Sequence, residues 1–182
     1  NRGTFTYYFN NEVFSFTTDN GVFSKENVDY GSYILIKNIY TRDLGNSLLD
    51  YGSGYGPIGI ILKRFHPEIK IEMVDVNSRA TELAILNCEI NKVDIEVHLC
   101  EDILSLHKFD TIVLNPPIRA GKQVMYELYE KAKEQLNDNG YFYIVIKKAH
   151  GALSSIKKLE TLFKEVVIID KDKGYYVISS HN

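Results

Sequence analysis

Leu48-Leu49-Asp50-Tyr51-Gly52-Ser53-Gly54-Tyr55-Gly56-Pro57 decides the fold. An apolar run closes on a carboxylate, glycine then recurs at every second position, and proline comes next. This is a strand, a tight turn and the start of a helix. Glycine lets the chain turn sharply and lets a ligand approach the main chain closely. Pro57 suits the first helical turn, where its missing N–H leaves nothing unpaired. In open α/β sheets the crevice at such a turn, at the carboxyl ends of the strands, is where nucleotide-like ligands bind.

Outward from this segment, short apolar runs alternate with amphipathic helical patterns. Strands are expected at residues 47–50, 69–74, 95–99, 111–114 and 141–146, and helices from Pro57, from Ser78 and over 154–163. Met125, Leu128, Ala132 and Leu136 form one helical stripe, with Asn139-Gly140 as its stop. Ser24 reads as the N-cap of a helix through Val28, Ile34, Leu35 and Ile39, and residues 12–17 alternate like a short strand. Residues 166–169 and 175–179 flank Lys171-Asp172-Lys173-Gly174 as a β-hairpin. Strands apolar on both faces, alternating with helices, predict a doubly wound, mostly parallel sheet into which the hairpin places one antiparallel strand. One domain is expected over 1–182, with residues 1–30 as an N-terminal extension.

The spacing of the glycine turn narrows the ligand. A dinucleotide fingerprint needs glycine at its sixth position, which counted from Gly52 is Pro57, and no GK[ST] is present for a phosphate loop. D-x-G-x-G-x-G is instead the form used for S-adenosyl-L-methionine. Asp75 ends the second strand, where a carboxylate can accept both ribose hydroxyls of an adenosyl group. Asp102 comes after the third strand, within reach of an adenine amine, and Asp50 can orient the loop and face the methionine end. Tyr51, Gly52, Gly54, Gly56, Val76 and Ile103 complete the expected cofactor contacts, together with Asn115.

Leu114-Asn115-Pro116-Pro117-Ile118 carries the chemistry. A buried strand does not ordinarily end in two prolines, which remove ladder donors and fix φ. Each proline also biases the residue before it toward an extended backbone. The result is a stiff bracket presenting the Asn115 side chain and the Pro116 carbonyl side by side, two acceptors for the two hydrogens of an amino group. An exocyclic amine delocalises its lone pair into the ring and is a poor nucleophile; holding both N–H groups turns the lone pair toward a methyl donor. Positioning and electrostatics can supply most of such catalysis, so Asn115, Pro116 and Pro117 are the expected catalytic segment.

Composition excludes several classes. Of 182 residues, 45% are hydrophobic and 25% charged, which rules out disorder, collagen and coiled coil. No apolar run approaches a membrane span, no charged-then-apolar leader opens the sequence, and two cysteines without CxxC suit a reducing cytoplasm. None of the five histidines shows triad or metal spacing, so no metal is expected. The net charge of −3 divides into −6 over residues 1–116 and +3 over 117–182. An acidic front suits a sulfonium ligand and a basic back suggests a second, anionic partner.

With these motifs in order, the sequence resembles the amino-directed class I methyltransferases. Asn115-Pro-Pro-Ile-Arg-Ala-Gly-Lys122, Thr18-Asp-Asn-Gly-Val-Phe-Ser24 and Val28-Asp-Tyr-Gly31 make it similar to the small single-domain ribosomal RNA guanine-N2 methyltransferases of bacteria and archaea. The resemblance runs from about residue 5 to the end, including Lys147-Lys148 and Gly151-Ala152. It implies a Rossmann-like, seven-stranded class I fold and methyl transfer from S-adenosyl-L-methionine to guanine N2. Ribosomal RNA or the small ribosomal subunit would be the partner. Where many amino methyltransferases carry Tyr or Phe after the prolines to stack on the base, this chain has Ile118, and Phe23 is a candidate for the stack. Arg119, Lys122, Lys147 and Lys148 are candidates to hold phosphates; solvated lysines are the plainer alternative. An adenine amine or a protein glutamine amide would fit the same bracket, and a non-catalytic assembly factor could keep the fold alone.

Overall fold

The computed structural model describes residues 2–19 and 27–182. The chain opens with a β-hairpin, β1 (Arg2–Phe9) and β2 (Glu12–Asp19), which forms its own two-stranded sheet. Next come α1 (Tyr30–Ile39), β3 (Ser47–Tyr51), α2 (Pro57–Phe65), β4 (Lys70–Asp75), α3 (Ser78–Ile90), β5 (Glu96–Leu99) and β6 (Phe109–Leu114). The remainder is α4 (Lys122–Glu134), β7 (Leu136–Lys147), α5 (Ala152–Leu162), β8 (Glu165–Asp172) and β9 (Tyr175–His181). The main sheet has seven strands in the order β5-β4-β3-β6-β7-β9-β8. β3 to β7 pair in parallel, and β9 runs antiparallel between β7 and β8.

Alternation within buried strands sorts the core into two layers. Leu48, Ile71, Met73, Val113 and Val145 pack toward α1, α2 and α3; Leu49, Val74, Ile112, Leu114 and Ile144 pack toward α4 and α5. The apolar runs that predict strands are therefore the central ones, buried on both faces. The terminal hairpin turns on Lys173-Gly174 alone, both at positive φ, so Lys171 and Asp172 belong to β8 rather than to the turn.

Three expectations are corrected. Helix α1 begins at Tyr30 with Asp29 as its N-cap, so Val28 precedes the helix; Ser24 lies outside the described residues. Leu136 is not helical: α4 stops at Glu134, and Leu136 pairs with Phe109 as the first residue of β7. Asn139-Gly140 then sits in an irregular stretch of β7, where a Cβ on Gly140 would come within 3.0 Å of the Asp110 carbonyl. That close approach, not a helix stop, explains the glycine.

The N-terminal hairpin shares the core. Phe14 and Phe16 are buried in the cluster that holds Tyr55 and Ile58. The backbone of β2 that faces away from β1 is paired by side chains of α3. Asn87 accepts from the Thr17 N–H (2.8 Å) and donates to the Thr17 and Tyr55 carbonyls (3.0 and 2.9 Å). Asn91 does the same for Ser15 at 3.0 and 2.9 Å. Asn87 is fully buried, so its removal leaves backbone groups without partners. Asn87→Ala is expected to lose about 2–4 kcal/mol in urea unfolding, and an unchanged midpoint would show that the hairpin is not clamped there.

Candidate active site

The parallel register sets β3, β4 and β6 side by side with their carboxyl ends on one rim, and the loops that leave them surround a cleft of about 690 Å³. Gly52 and Ser53 donate to the Val74 carbonyl at 2.8 and 3.0 Å, which folds the glycine turn back over β4. Gly52, Gly54 and Gly56 all have positive φ, the conformation that L side chains rarely adopt. Gly56, at φ 100°, is the N-cap of α2, with Pro57 next.

Asp75 lines the cleft. Its two oxygens accept from the Gly54 N–H (2.8 Å) and the Asn77 N–H (2.9 Å), which aims the carboxylate and leaves a lone pair on each oxygen. Two fixed carboxylate oxygens beside a glycine backbone fit a vicinal diol. Ser53 Oγ is buried in the same loop with no hydrogen-bond partner among the described residues. The donor set therefore fits an adenosyl ligand.

Asn115 lines the cleft with Asp75. Its amide nitrogen donates to Asp29 Oδ2 (3.3 Å) and to Ser32 Oγ (3.2 Å). Asp29 also accepts from the Ser32 N–H at 3.2 Å, so the start of α1 is at once a helix cap and a mount for Asn115. With Nδ2 committed, Oδ1 is the free acceptor. Asp29 and Ser32 are absent from the sequence-based site. The signal is there, since a capping Asp stands three residues before Ser and ahead of an apolar run, but Ser24 offers a competing cap. Pro117, Ile118, Arg119, Lys147, His150 and Tyr175 continue the cleft wall, and the Lys147 ammonium lies 5.1 Å from the Tyr175 ring centroid.

Other expected residues lie elsewhere. Asp50 is buried beneath the loop, its Oδ2 on the Gly59 N–H at 2.9 Å. Asp102 caps a short 3-10 turn by accepting from the Leu104 N–H, and Lys131 stands 3.6 Å from it on the outer side. Ile103 and Tyr51 are core residues, Val76 is exposed, and Lys122 is exposed at the start of α4, off the cleft wall. Phe23 lies outside the described residues.

The sequence matches the methyltransferase small domain family over residues 13–179. The chain belongs to that family. S-adenosyl-L-methionine is its cofactor, and the sheet is the class I methyltransferase sheet. The chain is 43% identical to the uncharacterized protein YbxB of Bacillus subtilis over 99% of this chain and 92% of that one. It is 35% identical to ribosomal RNA small subunit methyltransferase C of Aeromonas hydrophila, over 88% of this chain and 47% of the relative. In fold it matches the 16S rRNA N2 methyltransferase of T. thermophilus, solved with AdoMet and guanosine. That match has a TM-score of 0.88 at 24% identity, over 100% of this chain and 50% of that one. The chain thus spans about half the length of its ribosomal RNA methyltransferase relatives. No helix among the described residues is long and apolar enough to cross a membrane.

Burial pushes the Asp50 carboxyl from 3.8 up to about 7, against the Gly59 hydrogen bond and with help from the Asp75 charge. The folded protein then holds this proton more tightly than the unfolded chain does. Its stabilising contribution is full below about pH 4 and lost as the pH rises to about 7. Asp50→Asn keeps the shape without the charge. The stability of the variant relative to the parent should rise by on the order of 2–4 kcal/mol between those pH values. Thermal denaturation at several pH values reads this, and a difference that stays flat would refute the buried charge.

Proposed function

We propose that the chain methylates an exocyclic amine, guanine N2 of small-subunit ribosomal RNA, acting on RNA or on the assembling subunit. The observation that carries this reading is the orientation of Asn115. Its amide nitrogen is held by Asp29 and Ser32, which leaves its carbonyl oxygen as the acceptor, and Asn115 and Pro116 both line the cleft. A planar NH₂ offers two donors, and this bracket offers two acceptors. When bound, S-adenosyl-L-methionine supplies the electrophilic methyl group.

The glycine turn and Asp75 hold the adenosyl end, Gly54 and Asp75 being joined already by a hydrogen bond. Asn115 and Pro116 accept the amine hydrogens and turn its lone pair toward the donor, which converts an encounter into a positioned attack. Both N–H groups stay engaged as the nitrogen gains positive charge, so the same acceptors stabilise the transition state more than the ground state. The proton leaves to solvent afterwards, and no dedicated base is needed.

The acceptor side supports a nucleic-acid substrate. Arg119, Lys147 and His150 border the cleft beyond Asn115, in the segment 117–182 that carries a net +3. Tyr175 adds a ring to that wall and Ile118 an apolar side chain, either of which can serve an extruded base. Curated relatives named for small-subunit ribosomal RNA methylation favour guanine in that RNA over other amines.

The test is methylation of small-subunit ribosomal RNA and of small subunits lacking the modification, with nucleoside analysis of the product. N2-methylguanosine is expected, and Asn115→Ala should retain cofactor affinity while losing at least about a hundredfold in turnover, the scale of one transition-state contact removed. N6-methyladenosine or methylated protein glutamine would replace the substrate, and full turnover in the variant would remove the bracket.

A further inference from the structure

Away from the cleft, β4 and β5 carry a second cluster. Glu72 on β4 stands directly across from Glu96 on β5, and His98 comes two residues later on the same face. Like charges opposed on neighbouring strands destabilise a sheet unless something positive lies between them. Here the Glu72 side chain is only 2% exposed. The Nε2 atom of His98 lies between the two carboxylates, 2.8 Å from Glu72 Oε1 and 3.0 Å from Glu96 Oε2. The ligand atoms of Glu72, Glu96 and His98 all fall within 4.8 Å of one another.

A fourth group braces the cluster. His107, in the loop before β6, contacts the other oxygen of Glu72 through Nε2. Its Nδ1 lies 2.7 Å from the Lys108 carbonyl, which can only accept, so Nδ1 carries a hydrogen. Glu72 is thereby braced from outside the cluster, as metal-ligating carboxylates commonly are. The Lys70 ammonium is 4.0 Å from Glu72 and mostly in solvent. Glu72 thus meets an imidazole nitrogen with each of its oxygens, and Glu96 shares the one from His98.

We propose that Glu72, Glu96 and His98 form a site for a divalent transition-metal ion of the zinc class, with His107 bracing Glu72. Mixed imidazole and carboxylate ligands select such an ion over magnesium or calcium, which prefer all-oxygen sites. Bonds of about 2.0–2.2 Å in tetrahedral geometry separate ligand atoms by about 3.3 Å. The three ligand atoms already lie within 4.8 Å of one another, with His98 Nε2 at 2.8 and 3.0 Å from the two carboxylates. Glu96 is 60% exposed, which gives the ion a path in from solvent and leaves room for water as a further ligand. The sequence does not announce this site, because only the sheet register brings Glu72 of β4 opposite Glu96 and His98 of β5.

The role is a staple. β5 is an edge strand of four residues, and it leads through Cys100, whose N–H is held by the Asp75 carbonyl at 3.1 Å, into the Asp102 loop. Tying β5 to β4 at Glu72 secures the edge of the sheet on the side of the cofactor rim without touching the cleft.

The test is calorimetric titration of chelator-stripped protein with Zn²⁺, with Mg²⁺ as control, alongside melting curves. One Zn²⁺ per chain is expected, with a rise in melting temperature that Mg²⁺ does not reproduce. His98→Gln and Glu96→Gln should each weaken binding at least tenfold and abolish the rise; the second changes an exposed side chain and leaves the fold intact. Absence of Zn²⁺ binding to the parent would overturn the site, leaving a cluster held by protons on the imidazoles. Binding unchanged in both variants would place the ion elsewhere and overturn it equally.

Discussion

Everything at the cleft depends on the parallel registration of β3 between β4 and β6. Tyr51 pairs with Val74 on one side and with Leu114 on the other, so three chain segments separated by tens of residues end at the same level. The segments that leave these strands are then forced together: the glycine turn after β3, Asp75 at the end of β4, and Asn-Pro-Pro after β6. None of these is a site alone. A glycine turn binds nothing specific without a carboxylate to receive a diol, and an Asn-Pro-Pro corner has nothing to aim at without a donor held opposite.

The second constraint is mechanical. A free asparagine amide can rotate and present either its oxygen or its nitrogen. At Asn115 the choice is made by Asp29 and Ser32, which occupy the nitrogen. Asp29 is held in turn by its capping bond to α1, and α1 packs its buried face, Ile34, Leu35 and Ile39, into the core. Orientation of the proposed catalytic acceptor thus draws on helix packing, far from the reaction. The stiff prolines do the rest by fixing the backbone on which Asn115 sits.

Much of this is legible in the sequence, for a physical reason. The central strands are buried on both faces and read as short apolar runs, and the motifs sit directly at their ends, so strand, turn and functional residue form one signal. Legibility fails where a residue's environment comes from distant chain. β1 alternates weakly because much of it is open to solvent, and it carries no clear strand signal. Leu136 continues the apolar stripe of α4 by coincidence of spacing but is captured by pairing with Phe109. Asp29, Asn87 and the Glu72–His98 pair look like ordinary polar residues until tertiary contacts give them partners. Asp102, expected near the adenine, also caps a 3-10 turn, a contact that the strand pattern does not announce.

The central claim is that the rim formed by β3 and β4 is an adenosyl site of the sulfonium type and not a dinucleotide site. Calorimetric titration with S-adenosylhomocysteine, with NAD as the comparison ligand, tests it most directly. The account predicts micromolar, one-to-one binding of S-adenosylhomocysteine and none of NAD. Binding of NAD, or of neither ligand in the presence and absence of RNA, would contradict it.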